Sequence, residues 1–264
     1  MLRIGWMSTG RGEGSRGFLE YVQRHIAAGE LDARVEFVFS NRERGEAEGS
    51  DQFFRMVEGF GIPLVTLSFE RYRADRGGGF NKHRLPFHRE VMAAIAGYEV
   101  DFIVLAGYML FTGAEMPQKY PMLNLHPALP GYHAGTWQEV IWKLIEERAR
   151  VHGVFAHVAT EVLDAGPALA YCSFRITGPA FDHLWSEVSD RSVLELQVLG
   201  EEQPLFKAIR QAGLKRERPF LLECLRLISS EGITIREGHL VDRAGNEIEA
   251  RDITEAVERR LALY

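Results

Sequence analysis

The chain has 264 residues, 46% hydrophobic and 26% charged, with a net charge of −6, the balance of a soluble globular protein long enough for one α/β domain with a tail. The negative charge argues against a surface that coats nucleic acid, and no apolar run approaches the roughly 18–20 residues that span a bilayer. Two cysteines, Cys172 and Cys224, are too few for a disulfide framework or a cysteine-based zinc site.

The N-terminus, "MLRIGWMSTG", carries no basic stretch followed by a long apolar run, so no signal peptide is expected and the protein reads as cytoplasmic. "LRIGWM" (Leu2–Met7) is a predicted strand. A glycine-dense loop, Ser8–Gly17, follows it, and then a helix over Phe18–Ile26 with Phe18, Tyr21, Val22 and Ile26 on one side. Arg34–Asn41 reads as a second strand, Asp51–Ile62 as a helix and Pro63–Leu67 as a third strand. The basic run Arg71–Arg84, with three consecutive glycines, is expected to be a mobile loop. Arg89–Tyr98 reads as a helix and Asp101–Tyr108 as an apolar strand.

Past the centre, "MLNLH" (Met122–His126) is a strand stopped by Pro127, Thr136–Glu147 a helix, and Gly153–Ala159 and Ala168–Ile176 strands around the loop "TEVLDAGP". Beyond 177 the texture changes to two helices, a hairpin over Ile233–Ile248 turning at Ala244–Asn246, and a closing helix in "ITEAVERRLALY". Strands alternating with helices predict an α/β, Rossmann-like fold: a mostly parallel twisted sheet with helices on both faces. Residues 1–176 form that domain. Residues 177–264 form an extension of helices and a β-hairpin packed on it, and the hairpin edge leaves a homodimer open.

Two constellations carry chemistry. The loop after the first strand of such a sheet lies next to a helix N-terminus, where backbone N–H groups and the helix dipole favour an anion. Gly10, Gly12, Gly14, Ser15 and Arg16 there suit a phosphate monoester, although the pattern is neither a dinucleotide fingerprint nor a P-loop. The second is Asn124 and His126. They lie two apart on a strand, so both project to one side, and Asp164 lies in a later loop beside Gly166 and Pro167. A carboxylate can hold the histidine charged, and an asparagine amide can donate to a developing oxyanion. With no Gly-x-Ser-x-Gly and no partnered cysteine, this suits acyl transfer without a covalent enzyme intermediate.

"NLHPALP", "HGVFAHVATEVLDAGP", "FSNR", "DFIVLAGYM" and the glycine-serine first loop together resemble the folate-dependent formyltransferases, and within them phosphoribosylglycinamide formyltransferase. The resemblance runs over residues 1 to about 176. It implies formyl transfer from 10-formyltetrahydrofolate, as co-substrate, to the amine of glycinamide ribonucleotide in purine biosynthesis. No metal, nucleic acid or membrane enters that chemistry. Asn124, His126 and Asp164 match the family's catalytic set. Gly12, Gly14, Ser15 and Arg16 match its phosphate loop, with Arg16 in place of an asparagine. Glu217 matches a glutamate on the acceptor's ribose. Arg89, Tyr108, Met109, Leu110 and His157 match its folate side. Leu110 stands where many members have arginine, and residues 177–214 have no counterpart. Such departures leave another amine, such as an amino sugar nucleotide, as the alternative acceptor. A methionyl-tRNA formyltransferase would need a basic tail. A deformylase would usually carry a regulatory domain before the first strand, which here begins at residue 2.

Overall fold

The computed structural model describes residues 1–263. In chain order it contains β1 (Leu2–Met7), α1 (Glu13–Ala27), β2 (Ala33–Ser40), α2 (Glu48–Gly59), β3 (Leu64–Thr66), α3 (Phe69–Arg76), α4 (Phe80–Ala94), β4 (Phe102–Leu105), α5 (Glu115–Lys119) and β5 (Met122–His126). It continues with α6 (Trp137–Glu146), β6 (Val151–Val158), β7 (Ala168–Arg175), α7 (Asp182–Glu187), α8 (Val193–Gln197), α9 (Pro204–Glu231), β8 (Thr234–Arg236), β9 (His239–Val241), β10 (Arg251–Asp252) and α10 (Thr254–Leu261). Tyr264, the last residue of the expected closing helix, lies outside the described residues.

Eight strands form one sheet in the order β10-β7-β6-β5-β4-β1-β2-β3. The pairs β1–β2, β2–β3, β1–β4, β4–β5 and β7–β10 are parallel. The chain winds outward from β1 through β2 and β3, then returns to lay β4 on the other side of β1. This reversal is the switch point at which open α/β sheets keep their ligands, outside the carboxyl ends of the strands. Met7 pairs with Leu105, and Leu105 with Asn124, so the ends of β1 and β4 are level with the middle of β5.

The described chain divides into two compact units of separated segments. The first comprises Met1–Asn124, His157–Pro167 and Leu225–Ile248; the second comprises Leu125–Ala156, Ala168–Cys224 and the segment from Glu249. In the first unit, Met7, Phe37, Phe39 and Ile103 of the strands pack with Phe69, Phe87 and Val91 of α3 and α4. Trp6, Val38 and Val104 alternate with them along the same strands and are equally buried, so this stretch of sheet is covered on both faces. The buried residues of α1 and α2, including Leu19, Val22, Phe53 and Val57, supply apolar cover. In the second unit, Val140, Ile141 and Leu144 of α6 share a core with Phe155, Phe174, Leu205, Phe206 and Ile209. A capping box starts α6: Thr136 Oγ1 accepts from Glu139 N at 3.3 Å while Thr136 N donates to Glu139 Oε2 at 2.7 Å.

Several expectations need correction. Arg71–Arg84 is not a mobile loop. Ser68 caps α3 by accepting from Arg71 N at 3.0 Å, and Phe69 and Tyr72 pack on Phe87 with ring centroids 5.0 and 5.3 Å apart. Burial of that aromatic pair outweighs the charge run, and only residues 77–79 separate two helices. Helix α4 therefore starts nine residues before Arg89 and stops at Ala94, short of Tyr98. The first helix starts at Glu13, so Gly14, Ser15 and Arg16 belong to its first turn, with Ser15 Oγ donating to Gly12 O at 2.8 Å.

The first of the two helices expected beyond 177 is broken into a short α8 and the start of α9, and α9 runs on for 28 residues through Pro219 to take in the second. An internal proline costs about 3 kcal/mol; burial of Leu205, Phe206 and Ile209 before it and of Phe220–Leu222 after it offsets that. The hairpin turns at Glu237–Gly238, both at positive φ (52° and 84°), as a two-residue turn of this twist requires. The Ala244–Asn246 turn is a second one, closed by Asp242 N donating to Asn246 O at 2.9 Å.

Burial lowers the pKa of His88 in α4 to about 4 and of His152 in β6 to about 3. Between those values and about 6.5 the unfolded chain binds protons that the native chain does not. Stability should therefore be level above pH 6.5 and fall as pH drops toward 4, by on the order of 2 kcal/mol per group at pH 5. Urea midpoints at pH 7 and pH 5 test this. His152→Leu should lose part of the difference, and an unchanged difference would contradict the assignment to that burial.

Candidate active site

Within the first unit, the anion end is built by close approach of loops. Gly10 sits at φ 62°, and a Cβ there would lie 2.4 Å from the Phe53 ring. Ser50 Oγ donates to Thr9 O at 2.8 Å, which ties the start of α2 to the loop. Gly12 is the N-cap of α1 without a side-chain cap, so the first N–H groups of the helix face outward at its positive end. Arg16 turns back, its Nη1 donating to Gly10 O at 3.2 Å and Arg11 O at 2.9 Å. The arginine therefore staples its own loop as well as bringing positive charge to it.

Gly107 joins this loop to the next. Thr9 N and Oγ1 both donate to Gly107 O at 3.1 Å, and a Cβ on Gly107 would lie 2.5 Å from Ser15 Cβ. Tyr108 follows and is buried; its hydroxyl lies 3.0 Å from His88 Nε2. Met109 is 74% exposed, and Leu110 packs partly buried on the core of this unit. Arg89 forms a two-bond pair with Glu115, at 2.8 and 2.6 Å, on the surface.

Asn124, His157 and Asp164 meet. Asn124 Nδ2 lies 3.2 Å from His157 Nε2 and 3.4 Å from Asp164 Oδ1, and His157 Nε2 is 3.4 Å from the same carboxylate oxygen. The side chains of His157 and Asp164 are 2% and 6% exposed. His157 Nδ1 lies 3.0 Å from Val158 O. A carbonyl only accepts, so Nδ1 carries a hydrogen, and in the neutral ring Nε2 is the acceptor facing Asn124. Asp164 has φ 53°, the left-handed region that asparagine and aspartate tolerate best. Gly166 lets its loop lie against β6, because a Cβ there would be 1.8 Å from Val158 O.

In the second unit, His126 is buried, with Nε2 donating to His133 O at 2.8 Å and its ring edge-on to Phe155 at 5.6 Å. Glu217, on α9, accepts from Arg210 Nη1 at 2.5 Å. Among the described residues no group of three or more His, Cys, Asp or Glu side chains could hold a metal ion, and no helix is long and apolar enough to cross a membrane.

Sequence reasoning missed two features. His157 touches Asn124 and Asp164 directly, a contact that alternation along a strand cannot reveal. His88 supports Tyr108. The one signal for it is a histidine beside Phe87, one residue before the expected start of the helix at Arg89.

The model of the formyl transferase family matches residues 12–182. The chain is 35% identical over 121 residues to the chloroplastic phosphoribosylglycinamide formyltransferase of Arabidopsis thaliana, covering 44% of this chain and 39% of that protein. It is 28% identical over 150 residues to the formyltetrahydrofolate deformylase of Escherichia coli O6:H1, covering 53% and 44%. It thus spans less than half the length of both relatives. The structure of phosphoribosylglycinamide formyltransferase from Coxiella burnetii, in complex with CHES, shares the fold with a TM-score of 0.66 at 20% identity, over 95% of this chain and 99% of that one. A match over more than half the chain, on the segment that holds the glycine loop, Asn124, His126, His157 and Asp164, places this protein in the formyl transferase family.

Proposed function

We propose that this chain transfers a formyl group from 10-formyltetrahydrofolate directly to the amine of glycinamide ribonucleotide, a step of purine biosynthesis. The observation that carries the reading is the part-buried cluster of Asn124, His157 and Asp164, in a chain of this family. Similarity to relatives named for this reaction supports the choice of acceptor.

The acceptor amine attacks the formyl carbon and the carbonyl oxygen becomes an oxyanion. Asn124 donates to it, and His126 is the second donor that membership of the family assigns. The tetrahedral intermediate collapses by breaking the bond to the folate nitrogen. The proton lost by the amine travels through Asp164, directly or by water, to that departing nitrogen. His157 holds the Asn124 amide in place from Nε2, 3.2 Å away. The first turn of α1, with Gly12, Gly14, Ser15 and Arg16, receives the acceptor's phosphate, and Glu217 its ribose. Tyr108, Met109, Leu110 and Arg89 line the folate side.

The test is formyl transfer from 10-formyltetrahydrofolate, followed by absorbance of the deformylated product. Turnover with glycinamide ribonucleotide is expected, and Asn124→Ala should lower kcat by about 10²–10³-fold, the usual cost of one oxyanion donor. Asp164→Asn keeps a residue that tolerates the left-handed backbone and should lose activity at least as severely. If both variants stayed within a few-fold of the parent, the catalytic assignment would be wrong. Turnover only with another amine, such as an amino sugar nucleotide, would change the acceptor. Formate release without any acceptor would place the chain with the deformylases.

Gly166→Ala forces a methyl group into the Val158 carbonyl and must move the Asp164 loop. It should reduce kcat more than it lowers the unfolding temperature, read by parallel kinetics and thermal melts. Unchanged kcat would show that the loop position does not matter to the reaction.

A further inference from the structure

Helix α4 holds the turn after β4 at three points spaced along one side. Arg84 lies over the Phe111 ring at 4.7 Å, His88 Nε2 meets the Tyr108 hydroxyl at 3.0 Å, and Arg89 pairs with Glu115. The two outer contacts involve long flexible side chains. The middle one is buried, with His88 at 1% and Tyr108 at 8% exposure. It also has a defined direction. His88 Nδ1 lies 2.7 Å from Arg84 O, which can only accept, so Nδ1 carries the hydrogen. Nε2 is then the acceptor and the Tyr108 hydroxyl the donor. Gly107 and Gly113, both at φ 77°, bound the segment, and a Cβ on Gly113 would lie 2.7 Å from Leu85 of the same helix. The turn therefore has a hinge-like glycine at each end and one buried polar tether between them.

We propose that His88 is a positioning residue for folate binding: by accepting the Tyr108 hydroxyl it holds the 107–113 turn in the shape that receives the pterin. This rests on the reading of Tyr108, Met109 and Leu110 as the folate side. His88 itself touches no substrate; it acts through Tyr108. Burial keeps both partners in the required state, lowering the His88 pKa to about 4 and raising that of Tyr108 well above its ordinary value, so the tether is intact across the neutral range.

The experiment measures KM for 10-formyltetrahydrofolate, KM for the acceptor and kcat, together with binding of tetrahydrofolate by titration. The variants are Tyr108→Phe, His88→Leu, the double variant and His88→Gln. Tyr108→Phe removes one oxygen, so it keeps the test open if His88→Leu fails to fold. Each single variant should raise the folate KM about 10-fold with kcat and the acceptor KM within about 3-fold, and the double variant should be no worse than either single one, because both break one bond. His88→Gln offers an oxygen acceptor in place of Nε2 and should recover most of the loss. Tyr108→Phe with an unchanged folate KM would overturn the proposal. So would a double variant whose loss is the product of the single ones, or an effect confined to kcat. A parent chain that binds no tetrahydrofolate would instead sink the functional reading, and this proposal with it.

Discussion

The carboxylate of Asp164 is nearly dry, with 6% of its side chain exposed, and the rest of the candidate site answers to it. A buried polar group needs partners, because leaving one unsatisfied costs about 1–3 kcal/mol. Its backbone is strained as well, at φ 53°, a conformation that persists only where the surroundings over-determine it. Asn124 from the end of β5 and His157 from the end of β6 supply the partners. Gly166 supplies the room, since no larger residue fits against Val158 O. Strands, loop and glycine thus act together to keep one buried carboxyl group partnered.

A second constraint lies at the anion loop. Three glycines there, Gly10, Gly49 and Gly107, each have a neighbour within 2.5 Å of where a Cβ would sit: Phe53, Arg11 O and Ser15. Backbones this close leave the first turn of α1 little freedom to adjust to a ligand. Arg16 reinforces it by spending Nη1 on two carbonyls. A guanidinium has five N–H donors, so the same side chain can brace the loop and still offer hydrogens to a phosphate. An asparagine at this position has fewer donors and no charge and cannot do both. The substitution is therefore consistent with a phosphate site whose rigidity comes from within the loop.

The sequence showed the alternation of strands and helices well, because buried parallel strands such as "FIVL" and amphipathic helices such as α6 carry strong local patterns. It pointed to Asn124 and Asp164, polar residues at a strand and a loop, and the structure brings these two within 3.4 Å of each other. It failed where a tertiary interaction overrode local composition. Gly77–Gly79 and a run of arginines suggested a mobile loop, while the packing of Phe69, Tyr72 and Phe87 makes two helices. Two separate helices were expected where the apolar residues on both sides of Pro219 carry one helix, α9, through it. The contact of His157 with Asn124 and Asp164, and the role of His88, could not be read from the sequence, since they depend on which atom of another element each nitrogen faces.

Those nitrogens also divide the chemistry. His157 is pinned through Nδ1 by the carbonyl of Val158, and His126 through Nε2 by that of His133. Each main-chain carbonyl fixes a tautomer, and the two histidines are fixed in opposite senses. His157 therefore meets Asn124 and Asp164 with Nε2, an acceptor toward the amide while neutral and a donor toward the carboxylate once protonated. The Asn124 amide nitrogen lies within 3.4 Å of both the imidazole and the carboxyl group, so each of the three side chains constrains the position of the other two.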